Sequence, residues 1–215
     1  MTTKPKSTSS PIFIVTLWWT GILTLVKLFE SSLLEILTVF LYPILLLFGY
    51  FGLLILLVLS VIYWIRQRNN SERPFIPFLF SILTIIFFLY FPFTRLTLEI
   101  DFRVKKSDRE KVVKMITNKE IQYDLTKSSS VKIPAEYSNL SAGSPNVEVE
   151  VIDKKTCIFF YTFRGITDNT SGFVYVPDES VITKIKVGRS NQSNIFYEPI
   201  QITKIAEHWY FVANT

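Results

Sequence analysis

Cysteine and histidine are nearly missing from this 215-residue chain, which has one of each, Cys157 and His208. One cysteine excludes an intrachain disulfide framework, so the redox compartment cannot be read from it. With one His and one Cys, a zinc site would need several carboxylates as further ligands. Glycine is scarce at seven residues, and no alanine precedes Ala135. Gly-x-Ser-x-Gly, phosphate-cradling glycine loops and His-Glu-x-x-His are all missing, and with them the usual nucleophile, nucleotide and metalloprotease signatures. The most consequential scarcity is charge: Asp, Glu, Lys, Arg and His are all absent from 36–65 and from 75–93. Proton relays and ion pathways need ionisable groups inside the bilayer. These two runs lack them, which argues against a self-contained transporter or intramembrane protease.

What is present divides at Thr94. The chain is 49% hydrophobic, and that excess is concentrated in 11–93. Of the 18 acidic residues, 15 follow position 94; 17 Lys and Arg there leave +2, too balanced for a nucleic-acid partner. The other +3 lies in the apolar part and its flanks, where cations set topology.

Three apolar runs are expected to cross the bilayer: 11–29, 36–65 and 75–93, after a polar tail over 1–10. Lys4 and Lys6 before the first resemble a signal-peptide start, but no small-residue cleavage site follows, so an uncleaved span is expected. Thr16, Thr20 and Thr24 recur every four residues. They suit either close helix approach or bonds to the helix's own carbonyls. The second run, 30 residues long, would measure about 45 Å against a hydrocarbon thickness of about 30 Å. We expect it to begin in the interface and kink near Pro43. Gly49 and Gly52, spaced by three rather than four, carry little weight in this reading. Lys4, Lys6, Arg66, Arg68 and Arg73 would share one side; cytoplasmic placement puts the N-terminus inside and the C-terminal domain outside. The Arg95–Arg109 cluster opposes this, but long domains translocate largely regardless of charge.

After Thr94 the pattern turns to that of a water-facing domain. Leu96, Leu98, Ile100, Phe102 and Val104 occupy alternate positions, predicting a half-buried strand over 95–105. Ser107 and Glu110 form a capping box that predicts a helix over 108–119, with Val112, Val113 and Ile116 inward and Glu110 paired with Lys114. Val147, Val149 and Val151 alternate with Glu148 and Glu150 and lead through Asp153-Lys154-Lys155 into a returning strand, 156–164, apolar on both faces and hence central. Strands are also expected at 131–133, 173–176, 182–187, 200–205 and 209–212. The fold class predicted is a membrane all-α anchor of three transmembrane helices plus a C-terminal α+β domain over 95–215, with a mainly antiparallel sheet and one helix.

No catalytic, cofactor-binding or metal-binding residue is assigned, and no cofactor is expected. Cys157 sits beside Ile158 and Phe159 in an expected strand and reads as a buried structural thiol. His208 reads as strand edge, Glu148 and Glu150 as a solvated strand face, and 168–172 as a turn lacking the spaced acids of a calcium loop. The expected function is a non-catalytic, membrane-proximal interaction or sensing module. Its partners would be the lipid bilayer and a membrane or envelope protein, with no nucleic acid. It would sit in the cell membrane with its domain outside the cytoplasm. The alternative is a membrane-surface enzyme using loop residues such as Arg164, Asp168 and Asp178.

Overall fold

The computed structural model describes residues 10–69, 71–125, 128–165, 169–186, 193 and 195–215, and divides into two compact units between Arg95 and Leu96.

The first unit is helical. Helix α1, Pro11–Leu28, starts where Ser10 accepts the Phe13 N–H at 3.2 Å and Pro11 takes the first helical position. Helix α2, Glu30–Gln67, follows α1 with only Phe29 between them, begins earlier than the expected 36, and keeps Pro43 inside it. Helix α3 is Ile76–Tyr90. Two helices, α1 and the Phe40–Gln67 part of α2, are long and apolar enough to cross a membrane; α3 makes a third only when taken together with the helix that follows. The expectation of three independent spans is therefore too fine. At 15 residues α3 covers about 22 Å, short of the hydrocarbon thickness. Its early end has a local cause: Pro92 forces Phe91 into an extended conformation, φ −75° and ψ 124°.

This unit turns large apolar side chains outward and buries small polar residues beside an apolar cluster of Leu23, Leu53, Phe88 and Phe93. Thr16, Ser60, Ser81 and Thr84 are buried, whereas Trp18, Phe40, Leu47, Phe48 and Leu89 face outward. Outward apolar side chains with small hydroxyl residues between the helices fit packing in a lipid solvent. Both readings of the threonine stripe hold: Thr16, Thr20 and Thr24 each donate to the carbonyl four residues back, and Thr20 Oγ1 also lies 3.4 Å from Thr84 Oγ1 of α3. The low weight given to Gly49 and Gly52 is corrected. A Cβ at Gly52 would overlap the Trp19 ring and one at Gly49 would overlap Leu23, while Trp19 Nε1 donates to the Gly49 carbonyl at 3.0 Å. A spacing of three serves as well as four here because two different α1 side chains fill the two notches.

The second unit is an antiparallel sheet with a helix on each face. Helix α4 is Phe93–Thr117 and helix α5 is Glu179–Lys186. The strands are β1 Ser130–Lys132, β2 Asn146–Ile152, β3 Lys155–Arg164, β4 Thr170–Tyr175, β5 Pro199–Ala206 and β6 Trp209–Asn214. They order as β1-β2-β3-β4-β6-β5, every pairing antiparallel. Strand β3 is central and buried on both faces, as its unbroken apolar run predicts. Ile158 and Phe160 join Phe102, Val112, Ile116 and Trp209 in one core; Cys157 and Phe159 join Val181, Ile182 and Ile185 in the other. At the β2–β3 turn, Asp153 and Lys154 both take positive φ, the geometry of a two-residue hairpin loop.

Three expectations fail in this unit. Residues 95–105 form the first half of α4, not a strand. Leu98, Phe102, Lys105, Arg109, Val112 and Ile116 repeat at three and four, and the two cations among them disguise the helical period. The helix is laced by the i, i+4 pairs Glu99–Arg103, Asp101–Lys105 and Lys106–Glu110. Ser107 is consequently interior rather than a cap, and Glu110 pairs with Lys106 instead of Lys114. Residues 182–187 likewise belong to a helix as far as Lys186. Asp178 Oδ1 accepts the Ser180 N–H at 2.9 Å and starts α5, whose Val181, Ile182 and Ile185 face the sheet. The domain therefore packs two α-helices on its sheet where one was expected, and adds a short 3-10 turn at Ala135–Leu140.

Candidate functional site

Cross-strand register decides which polar groups meet. Glu148 lies opposite Phe159 and Glu150 opposite Cys157, and directly opposed residues share a face. Both carboxylates therefore lie on the α5 side, beside Cys157, Phe159 and Tyr161, and neither is fully exposed. The solvated-face reading is corrected. Glu150 Oε2 accepts from Ser193 Oγ at 2.7 Å and from the Ile195 N–H at 3.2 Å, pinning that segment against the sheet. Glu148 Oε2 is buried with no hydrogen-bond partner.

A bulge in β3 brings an arginine to the same place. Residues three apart on a regular strand point to opposite faces. Here Tyr161 pairs with Gly172 and Phe163 with Ser171, so Thr162 is an inserted residue and Arg164 returns to the Tyr161 face. Its Cζ stacks 3.6 Å from the Tyr161 ring centroid. Arg164 is half-buried, yet its Nε and Nη2 atoms are fully buried and have no hydrogen-bond partner. The stem of the side chain is fenced by Gly143, whose φ of +78° suits glycine and where a Cβ would lie 3.4 Å from Arg164 Cδ. Ser144, next in the chain, also buries an unpartnered hydroxyl. The backbone of this loop is tied to β3: Ser141 Oγ accepts the Tyr161 N–H at 3.3 Å, and the Ala142 N–H donates to the Tyr161 carbonyl at 2.8 Å. Burial and the neighbouring Glu148 carboxylate push the Tyr161 hydroxyl up to about 12, so it stays protonated and remains a donor.

The sequence-named residues are dispersed. Cys157 is buried; burial and the nearby Glu150 push its thiol up to about 12, which leaves it without thiolate at neutral pH. His208 lies in the β5–β6 turn with its ring against Tyr175, which packs on the α4-side core, whereas Cys157 faces the α5 side. The two are not brought together. Asp178 bonds Lys155 at 2.6 Å, at the start of β3, and Arg164 ends that strand. Nine residues of strand separate those ends by about 30 Å. Contact with Lys155 and the Ser180 amide holds the Asp178 carboxyl well below the usual range. Asp168 lies outside the described residues. Among the described residues no group of three or more His, Cys, Asp and Glu is placed to hold a metal.

Comparison of the chain with protein-family models, with curated proteins and with solved structures finds no match.

Proposed function

We propose that this chain is a multi-pass protein of the cell membrane that crosses the bilayer three times and carries 95–215 outside the cytoplasm. There the domain acts as a non-catalytic interaction or sensing module for a membrane or envelope protein. The topology rests on the five cations Lys4, Lys6, Arg66, Arg68 and Arg73, which share one side if the first two apolar runs both span. The function rests on one observation: Arg164, Glu148 and Ser144 bury hydrogen-bonding atoms that the domain leaves unpaired. Such atoms are costly unless something else bonds them, so they favour recognition. The enzyme alternative would draw on residues such as Arg164, Asp168 and Asp178; Arg164 and Asp178 lie at opposite ends of β3, which disfavours a site that uses both, and Asp168 lies outside the described residues.

Photo-cross-linking in native membranes tests this reading. A cross-linking residue at exposed Asn139 should give a discrete adduct, and one at Glu207, in the distant β5–β6 turn, should not. No discrete adduct from Asn139, or the same adducts from both positions, would refute the interaction role.

A further inference from the structure

We propose that the Arg164 cluster is a receptor for a carboxylate group, and more specifically for a ligand that carries a hydrogen-bond donor beside that carboxylate, as an amino acid or a peptide terminus does. The inference deepens the binding role proposed above and rests on it.

The argument begins with the geometry of guanidinium. Nε and Nη2 lie along one edge of the plane, and their two N–H groups are spaced to meet the two oxygens of one carboxylate. In Arg164 these are the two buried atoms without a partner, while the face of the group is occupied by Tyr161 at 3.6 Å. Stacking fixes the plane of the fork, and the bulge at Thr162 fixes the side of the sheet on which it lies. An arginine serving only as packing or as a solvated charge would bury its stem and leave this edge in water. Here that edge is buried instead.

Glu148 supplies the second half of the specificity. Its Oε2 is buried and unpartnered, and the β2–β3 register sets Glu148 diagonal to Tyr161 on the same face, so Tyr161 adjoins both groups. A carboxylate accepts hydrogen bonds only, so it calls for a donor on the ligand. It also repels a second negative charge, which disfavours a phosphate dianion more than a monoanionic carboxylate. An ammonium or hydroxyl next to a carboxylate satisfies both Arg164 and Glu148. The bland competitor is that Arg164 and Glu148 bond each other in solution, in which case nothing binds.

Calorimetric titration of the full chain in lipid nanodiscs with sodium acetate, glycine and sodium phosphate, at constant ionic strength set by chloride, separates these outcomes. Saturable binding of acetate and tighter binding of glycine are expected, with phosphate weaker than either. Arg164→Lys should weaken acetate by about tenfold or more, since the fork loses at least one charge-assisted bond. Glu148→Gln should bring glycine down to the acetate level. No saturable heat with any probe on the wild-type chain overturns the proposal without recourse to a variant that must fold. Phosphate binding tighter than acetate overturns the ligand class, and unchanged acetate binding by a folded Arg164→Lys protein overturns the site. Failure here with a cross-link from Asn139 intact would remove the receptor and leave the interaction module standing.

Discussion

At the scale of single residues, the domain depends on close contacts that side-chain chemistry alone does not advertise. A Cβ on Gly172 would overlap the Phe160 carbonyl oxygen and the Phe159 ring. The carbonyl belongs to the paired neighbouring strand and cannot move aside. Gly172→Ala is expected to cost about 3 kcal/mol, read as a fall in the thermal midpoint of the detergent-solubilised chain. Arg109 is a second such point: it is 1% exposed, contacts Asp101 Oδ2 at 2.5 Å and rests over the Phe173 ring at 4.6 Å. Burial alone would raise the Asp101 carboxyl, but Arg109 and Lys105 outweigh it and hold the group below its ordinary value. A carboxyl lowered in the folded state stabilises fully above its unfolded pKa of about 3.9, and that contribution is lost as pH falls through the lower folded value. Midpoints recorded from pH 6 downward should therefore drop below about pH 4, and an Asp101→Ala protein should lack that part of the drop. Because it leaves Arg109 buried and unpaired, Asp101→Ala should itself cost about 3 kcal/mol near neutrality. An acid profile identical in both proteins would remove the ion pair from the account.

At the scale of elements, α4 separates a strand reading from a helical one by experiment. A strand over 95–105 would turn Phe102 and Val104 to the same face. The helix buries Phe102 and leaves Val104 74% exposed. Val104→Glu should change stability by under about 0.5 kcal/mol, as a surface substitution does, whereas Phe102→Glu should unfold the domain. Equal damage from both would restore the strand. The segment carries two competing patterns. Alternating apolar residues and a three-four repeat coexist there, and the inward Lys105 and Arg109 masked the second; the ladder of i, i+4 ion pairs was the signal that favoured helix. In α5 the run Val181-Ile182-Thr183 favours strand by propensity, and Asp178 as a cap, with Val181, Ile182 and Ile185 facing the sheet, overrides it. The β2–β3 hairpin was legible because alternation, turn and a doubly apolar return strand all agree. The candidate site was legible only in part. Glu148 and Arg164 both stand out in the sequence, but their placement on the Tyr161 face depends on one inserted residue, Thr162, which leaves no mark in residue spacing.

At the scale of the whole molecule, the proposed topology joins an apolar anchor to a water-facing domain, and the span count sets the side on which that domain lies. Two helices qualify as spans alone, and a third only with α3 and α4 taken together. An even count returns the domain to the side of the N-terminus, and an odd count places it opposite. The cation distribution favours three spans with the cytoplasm on the side of Arg66, Arg68 and Arg73. The most direct measurement is labelling of intact cells with a membrane-impermeant thiol reagent, using Ser138→Cys in a Cys157→Ser background. Ser138 is exposed and Cys157→Ser removes the one native cysteine, so the signal reports only the engineered site. The account requires labelling of intact cells without permeabilisation. Labelling that appears only after permeabilisation would place the domain in the cytoplasm and contradict the proposed topology together with its extracytoplasmic role.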